Sequence, residues 1–215
     1  MENYATILVM AVFYAAYFTK AVLQRKHGVK TMILGKGEKP DRERRIELLL
    51  KITTFTIPFV ELASIYLGSA AVLGTDFAVS QDRTFASTIM EGLSVGWIIP
   101  SAVRWAGIAV AACGVACFIA GMSTMRDSWR AGIPSQKETE LVTGGIYRIS
   151  RNPAFLGFDL LYIGILTAYP NIWHAVAVVI ALCLFHKQIK SEEAFLENAF
   201  GQEYVDYKKK VRRYI

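Results

Sequence analysis

The chain has 215 residues, a length that suits one domain, and 53% of them are hydrophobic. Its mean hydropathy of +0.33 is high for a soluble domain, and the apolar residues cluster in long runs, which disfavours a soluble fold. The formal net charge is +6, but the basic residues lie between apolar runs, so nucleic-acid binding is not expected. The three cysteines lie inside these runs and match no zinc or disulfide pattern, so no metal is expected.

Three apolar runs in the first part of the chain are long enough to cross a bilayer, which needs about 20 apolar residues. They cover Tyr4 to Leu23, Ile46 to Leu73 and about Trp97 to Met122. Glu61 lies near the middle of the second run, and we expect either an interhelical hydrogen bond or a functional role for its carboxylate. Small residues at seven-residue spacing in the third run predict close helix packing, namely Gly107, Gly114 and Gly121.

The fourth and fifth apolar runs form one unit. They cover Leu156 to Tyr169 and Ile172 to Phe185, and Pro170-Asn171 separates them. Each run is short for a full span, so we predict a tight helical hairpin that crosses with local thinning of the bilayer. The expected fold is all-α and polytopic, a single membrane domain with about five transmembrane helices and a C-terminal cytoplasmic amphipathic helix. Three of the helices are assigned to residues 1–125, and residues 126–215 form the predicted cofactor-binding core.

Lysine and arginine residues alternate between dense and sparse segments. Residues 24–45 hold eight of them, residues 74–96 one, residues 126–152 five, the Pro170 turn none, and the tail after Phe185 seven. Because cytoplasmic loops carry the excess of lysine and arginine, we predict an N-terminus outside and a C-terminus in the cytoplasm.

Two motifs lie in the last third of the chain. The first runs from Leu141 to Arg148 and continues from Arg151 to Gly157. Its paired glycines favour a turn, and Pro153 suits the first turn of a helix that enters the membrane. Its arginines are consistent with anchoring at the interface or with binding an anion.

The second motif follows the last apolar run and consists of Glu192, Glu193, Leu196, Phe200, Gly201, Tyr204, Tyr207, Val211 and Arg213. Its apolar residues recur at three- and four-residue steps, which predicts a basic amphipathic helix on the membrane surface. Such a helix does not account for paired carboxylates where the chain leaves the membrane. A ribose or an ammonium group is a suitable partner for a carboxylate at that place.

Taken together and in this order, the two motifs resemble the isoprenylcysteine carboxyl methyltransferases and their bacterial relatives over about residues 128–215. The resemblance implies S-adenosylmethionine as the cofactor and S-adenosylhomocysteine as its product. The cofactor contacts that it implies are Thr139, Glu140, Leu141, Val142, Tyr147, Asn152, Pro153, Ala154, Phe155 and Glu192, with Glu193 as an adjacent candidate. Arg151 and Gly157 match motif positions with a structural or cofactor-facing role.

The chain departs from the family pattern at three positions. Asn152 replaces the usual histidine and cannot titrate near neutral pH, and Phe155 replaces a tyrosine. Gln188 stands where the prenylcysteine enzymes have a substrate-binding arginine, so a bidentate clamp for a carboxylate is missing there. The catalytic candidates are therefore Gln188 itself, Arg130 as a binder of an anionic group, and His186 as a base; simple interfacial roles compete for Arg130 and His186.

The resemblance implies a membrane enzyme that methylates a lipid-like or small hydrophobic acceptor, such as a prenylcysteine-like carboxylate. We expect this acceptor to enter from the inner leaflet and to react at the cytoplasmic face. A phospholipid N-methyltransferase, an NADPH-dependent reductase of the sterol reductase type and a non-catalytic membrane scaffold remain alternatives. Binding of S-adenosylhomocysteine or of NADPH distinguishes the methyltransferases from the reductase and the scaffold.

Overall fold

The computed structural model of the protein describes residues 1–26, 33–36, 40–73, 99–133 and 140–215. The helices in these ranges are α1 (Glu2–Lys26), α2 (Asp41–Leu73), α3 (Ser101–Met125), α4 (Pro153–Ala168), α5 (Ile172–Phe200) and α6 (Gln202–Lys210), with 3-10 turns at Arg126–Ser128 and Gly145–Arg148. Four of the helices, α1, α2, α3 and α5, are long and apolar enough to cross a membrane, and α4 is a shorter apolar helix. The prediction of an all-α polytopic membrane protein is confirmed. The predicted start of the third run at Trp97 lies outside the described residues.

Helix α5 is longer than the sequence pattern predicted. Its apolar run was expected to end at Phe185, but the helix continues to Phe200. Neither glycine nor proline interrupts this stretch, and the first break is Gly201, which has a φ of 55°. The continuous helix therefore carries Glu192 and Glu193 beyond the apolar run, and only the short α6 forms a separate amphipathic helix.

Helices α3 and α4 pack backbone against backbone through glycines. A Cβ atom on Gly107 would lie 2.6 Å from the carbonyl oxygen of Gly164, and one on Gly114 would lie 2.6 Å from that of Gly157. The close packing predicted from the glycine spacing in α3 is confirmed, and α4 repeats the same spacing on its side of the contact. This contact sets the end of α3 beside Pro153 at the start of α4.

Aromatic rings from four helices fill the space between them. Phe118 of α3 lies 4.4 Å from Phe13 of α1 and 5.1 Å from Phe158 of α4, measured between ring centroids. Phe158 lies a further 5.1 Å from Phe185 of α5. The ring of Trp129, just beyond α3, meets Tyr17 edge to face at 5.7 Å. These rings form the apolar base on which the candidate site stands.

Buried polar groups join the helices elsewhere. The hydroxyl of Tyr14 donates to Glu61 at 3.5 Å, which is the interhelical hydrogen bond expected for this buried carboxylate. Where α4 ends, Tyr169 is buried and its hydroxyl donates to Asn3 at 2.8 Å. The guanidinium of Arg104 lies over the Tyr169 ring, 4.9 Å from its centroid.

Changing Gly114 to alanine tests the contact between α3 and α4. The new methyl group would lie 2.6 Å from two backbone atoms of α4, and neither atom can move without displacing the helix. We expect a loss of about 1–3 kcal/mol in the free energy of unfolding, measured as a lower melting temperature in detergent. Gly144→Ala is the control, since nothing lies within 4 Å of a Cβ atom there. Equal melting temperatures for the two variants would contradict the proposed packing.

Candidate active site

Two pockets meet where α3 ends and α4 begins. The more polar of the two, called the polar pocket below, spans about 930 Å³, including space open to solvent, and its lining includes Glu140, Leu141, Val142, Tyr147, Glu192 and Tyr204. The apolar pocket encloses about 500 Å³ between the helices, and its lining includes Tyr17, Leu50, Phe118, Phe155, Phe158 and Phe185. Arg130, Gly132 and Glu192 line both pockets and so form the junction between them. The two pockets are therefore adjacent at these three residues.

The first motif sets Tyr147 into the polar pocket. Gly145 has a φ of 56°, and the amide of Tyr147 donates to the carbonyl oxygen of Gly144, so the chain forms a tight 3-10 turn. The hydroxyl of Tyr207 donates to the carbonyl oxygen of Tyr147 at 2.6 Å and fixes this turn against α6. Burial, and then the nearby Glu192 carboxylate, raise the pKa of the Tyr147 hydroxyl. This hydroxyl therefore stays protonated and available as a donor at neutral pH.

The carboxylate of Glu192 is held by a neutral partner on the same helix. The side-chain amide of Gln188, one turn earlier on α5, donates to Glu192 at 3.0 Å. Gln188 is buried and lines the apolar pocket. The family arginine that Gln188 replaces would put a positive charge in this position. In this chain, the cation at the junction is Arg130, which follows α3.

The neighbouring carboxylate, Glu193, joins the two motifs. It is buried and forms ion pairs with Arg151 at 2.8 Å and with Arg213 at 2.7 Å. Hydrogen bonding to Glu193 raises the pKa of the Arg213 guanidinium. The side-chain amide of Asn152 donates to the carbonyl oxygen of Arg213 at 3.1 Å, and the amide of Arg151 donates to that of Arg212 at 3.0 Å. The C-terminal tail is thus fastened to the chain just before α4.

The structure divides the predicted site residues into three groups. The polar pocket receives Glu140, Leu141, Val142, Tyr147, Arg151 and Glu192. The apolar pocket receives Ala154, Phe155 and Gln188, as well as Glu192, and Arg130 lines both pockets. The others lie elsewhere. Asn152 and Glu193 bond to the C-terminal tail, and Pro153 and Gly157 pack against α3. The Nδ1 atom of His186 lies 3.0 Å from the Tyr214 hydroxyl, and Thr139 lies outside the described residues.

Sequence reasoning missed several residues of the two pockets. Leu196, Phe200 and Tyr204 were assigned to a surface helix, but they line the polar pocket together with Phe195. The three- and four-residue steps from Glu192 to Phe195, Leu196 and Phe200 were the available signal, because they put these residues on one face of α5. Tyr204 lies beyond the break at Gly201, on α6. Leu34, Leu50 and Thr54 line the apolar pocket from the N-terminal part, where no motif marked them. In the described part of the chain, no three histidine, cysteine or acidic side chains are grouped to hold a metal ion.

Comparison with known proteins agrees with the motifs. Residues 102–203 match a family model described as Phospholipid methyltransferase. The chain is 28% identical over 160 residues to a probable protein-S-isoprenylcysteine O-methyltransferase of Oryza sativa subsp. indica, a match that covers 70% of this chain and 84% of the relative. It is 34% identical over 80 residues to protein-S-isoprenylcysteine O-methyltransferase B of Arabidopsis thaliana, over 37% of this chain and 41% of the relative. The predicted resemblance is confirmed, and it extends beyond residues 128–215. The family model begins in α3, and the match to the Oryza sativa relative, which covers 70% of this chain, reaches further toward the N-terminus.

Replacing Glu193 by alanine tests the link between the motifs. The change leaves Arg151 buried without its carboxylate, and breaking such a pair costs about 3 kcal/mol or more. We expect a lower melting temperature and faster trypsin cleavage in the tail, from Lys208 to Arg213, in detergent. Glu203→Ala, an exposed carboxylate on α6, is the control. A tail that resists trypsin equally in both variants would contradict this role.

Proposed function

We propose that this chain, which is isoprenylcysteine carboxyl methyltransferase-like, is a membrane methyltransferase that uses S-adenosylmethionine and acts on an anionic, lipid-like acceptor. The observation that carries the proposal is the junction, where a polar and an apolar pocket share Arg130, Gly132 and Glu192. An enzyme that joins a water-soluble donor to a membrane-embedded acceptor must bring the two into contact. Two pockets, one more polar than the other, that share charged side chains suit this task.

The polar pocket suits the cofactor in its chemistry. The carboxylates of Glu140 and Glu192 can accept hydrogen bonds from hydroxyl or ammonium groups, and the rings of Tyr147 and Phe200 offer surfaces for a planar base. When bound, S-adenosylmethionine supplies a methyl group that its sulfonium already activates.

The protein's own contribution is therefore to bind, orient and exclude water. The aromatic rings of Tyr17, Phe118 and Phe158 keep the acceptor side of the junction apolar. Gln188 holds Glu192 in place without adding charge. Arg130 is the cation that an anionic acceptor would approach. A carboxylate acceptor needs no base, which agrees with the position of His186 outside both pockets and with Asn152 in place of a histidine.

The orientation in the membrane is part of the same proposal. The loops that flank the site and the C-terminal tail hold most of the lysine and arginine residues, which favours the cytoplasm for this end of the bundle. The acceptor would then enter the apolar pocket from the inner leaflet. The family model's description, Phospholipid methyltransferase, favours an amine acceptor as a second candidate. An amine would pair with Glu192 and not with Arg130.

The cofactor is tested by calorimetry on protein purified in detergent, with S-adenosylhomocysteine and NADPH as the two ligands. We expect saturable binding of S-adenosylhomocysteine alone. Glu192→Ala should weaken it about 10- to 100-fold, the effect of losing hydrogen bonds to a charged group. Glu197→Ala on the exposed face of α5 is the control, since its carboxylate pairs with Lys208 at the surface. Binding of NADPH would indicate a reductase, and binding of neither ligand would indicate a scaffold.

The acceptor is tested by comparing N-acetyl-S-farnesylcysteine with phosphatidylethanolamine in a methyl-transfer assay. If the acceptor is anionic, Arg130→Gln should raise its KM about tenfold or more, because a charge-assisted hydrogen bond is lost, while S-adenosylhomocysteine binds as before. Arg148→Gln, which removes an exposed charge from the first motif, is the control. Methylation of phosphatidylethanolamine alone, with an unchanged KM in Arg130→Gln, would favour the amine acceptor.

A further inference from the structure

Residues 126–133 form the wall between the two pockets, and this wall has little regular structure of its own. It begins with the 3-10 turn Arg126–Ser128, continues through Trp129 in an extended conformation and bends at Gly132. Trp129 and Ala131 face the apolar pocket, Ile133 faces the polar pocket, and Arg130 and Gly132 line both. The guanidinium of Arg130 donates to the carbonyl oxygens of Asp127 and Trp129 in the same segment, so its position follows the backbone of the wall. Other backbone groups of the segment need partners from outside it, and these partners determine where the wall lies.

The partners come from the first two helices. Gln24, near the end of α1, donates to the carbonyl oxygens of Arg126 and Trp129 at 3.0 and 3.2 Å. Glu47, near the start of α2, accepts from the amide of Ile133 at 2.9 Å and from the amide of Gly35 at 2.7 Å. Both side chains are buried, with exposed fractions of 2% for Gln24 and 0% for Glu47.

Residues 33–36, which contain the Gly35 amide bonded to Glu47, also contact the wall directly. The amide of Ile33 donates to the carbonyl oxygen of Ala131 at 3.0 Å. Gly132 has a φ of 108°, and a Cβ atom there would lie 2.9 Å from the backbone nitrogen of Leu34. Leu34 in turn lines the apolar pocket. The two segments therefore fit together closely, and the carboxylate of Glu47 fastens one to the other.

We infer that Glu47 is a positioning residue for methyl transfer, which holds the wall and its Arg130 at the junction, with Gln24 supporting the same wall from α1. A carboxylate suits this role because it only accepts hydrogen bonds and can serve two backbone amides at once. The inference rests on the proposed function for its reaction. It gives α1 and α2, which precede the part matched by the family model, a defined task in the site.

The matched variants Glu47→Gln and Glu43→Gln test this role. Glutamine keeps the size of Glu47 but has one acceptor oxygen, so one of the two amides loses its partner. Glu43 lies one turn earlier on α2 and is partly exposed. In Glu47→Gln we expect hydrogen exchange to rise about tenfold at one of the two amides, that of Ile133 or that of Gly35, in keeping with one lost hydrogen bond. This measurement needs neither cofactor nor acceptor.

Kinetics with the acceptor that the wild type methylates complete the test. We expect the acceptor KM of Glu47→Gln to rise and its turnover to fall about 10- to 100-fold, since small displacements at a reacting centre have effects of this size. The stoichiometry of S-adenosylhomocysteine binding should stay at the wild-type value. If the stoichiometry of S-adenosylhomocysteine binding and the turnover fall together while the acceptor KM is unchanged, part of the protein is simply inactive. The role of Glu47 is then only structural, and the inference is overturned.

Unchanged hydrogen exchange and kinetics in a folded Glu47→Gln variant would also overturn the inference that Glu47 is a positioning residue. Should that variant fail to fold, Gln24→Leu tests the same wall, with the same rise in acceptor KM expected and an unchanged KM as the contrary result. A wild-type protein that neither binds S-adenosylhomocysteine nor methylates an acceptor would overturn the proposed function as well. An active wild type with an equally active Glu47→Gln would overturn this inference alone.

Discussion

The close approach of α3 and α4 is the constraint on which the rest of the structure depends. Glycines remove the side chains from the contact, so the backbones meet and the end of α3 lies beside the start of α4. The chain that leaves α3 becomes the wall between the pockets, and the chain that enters α4 carries the first motif. If the two helices were farther apart, Arg130 and Tyr147 would no longer face one polar pocket.

A second constraint joins the two motifs. Glu192 and Glu193 are neighbours on α5, and they point to different surroundings because successive residues of a helix differ by about 100° in direction. Glu193 is buried in ion pairs with Arg151 and Arg213, while Glu192 lines both pockets. One turn of α5 thus supplies Glu193, which fastens the tail, and Glu192, the carboxylate of the candidate site. These two separate roles account for the paired carboxylates, which a surface helix did not explain.

The sequence predicted the fold class, the glycine contact and part of the lining of the polar pocket, because these depend on local composition and on motifs. It did not predict that α5 continues through Glu192 to Phe200, since a change from apolar to mixed residues resembles a helix end. It also gave no sign of the role of Glu47 or Leu34. Their importance depends on contacts between distant segments, such as Glu47 with Ile133, and a single sequence does not record which segments meet.

The acceptor side of the site departs from the family pattern in a coherent way. Gln188 replaces an arginine on α5, and its amide is bonded to Glu192. A positive charge is nevertheless present at the junction, since Arg130 lines both pockets from the wall after α3. Moving the charge from a rigid helix to a wall held by Gln24 and Glu47 makes its position depend on α1 and α2. The N-terminal helices would then help to determine which acceptors react, while most of the proposed cofactor pocket comes from the part matched by the family model.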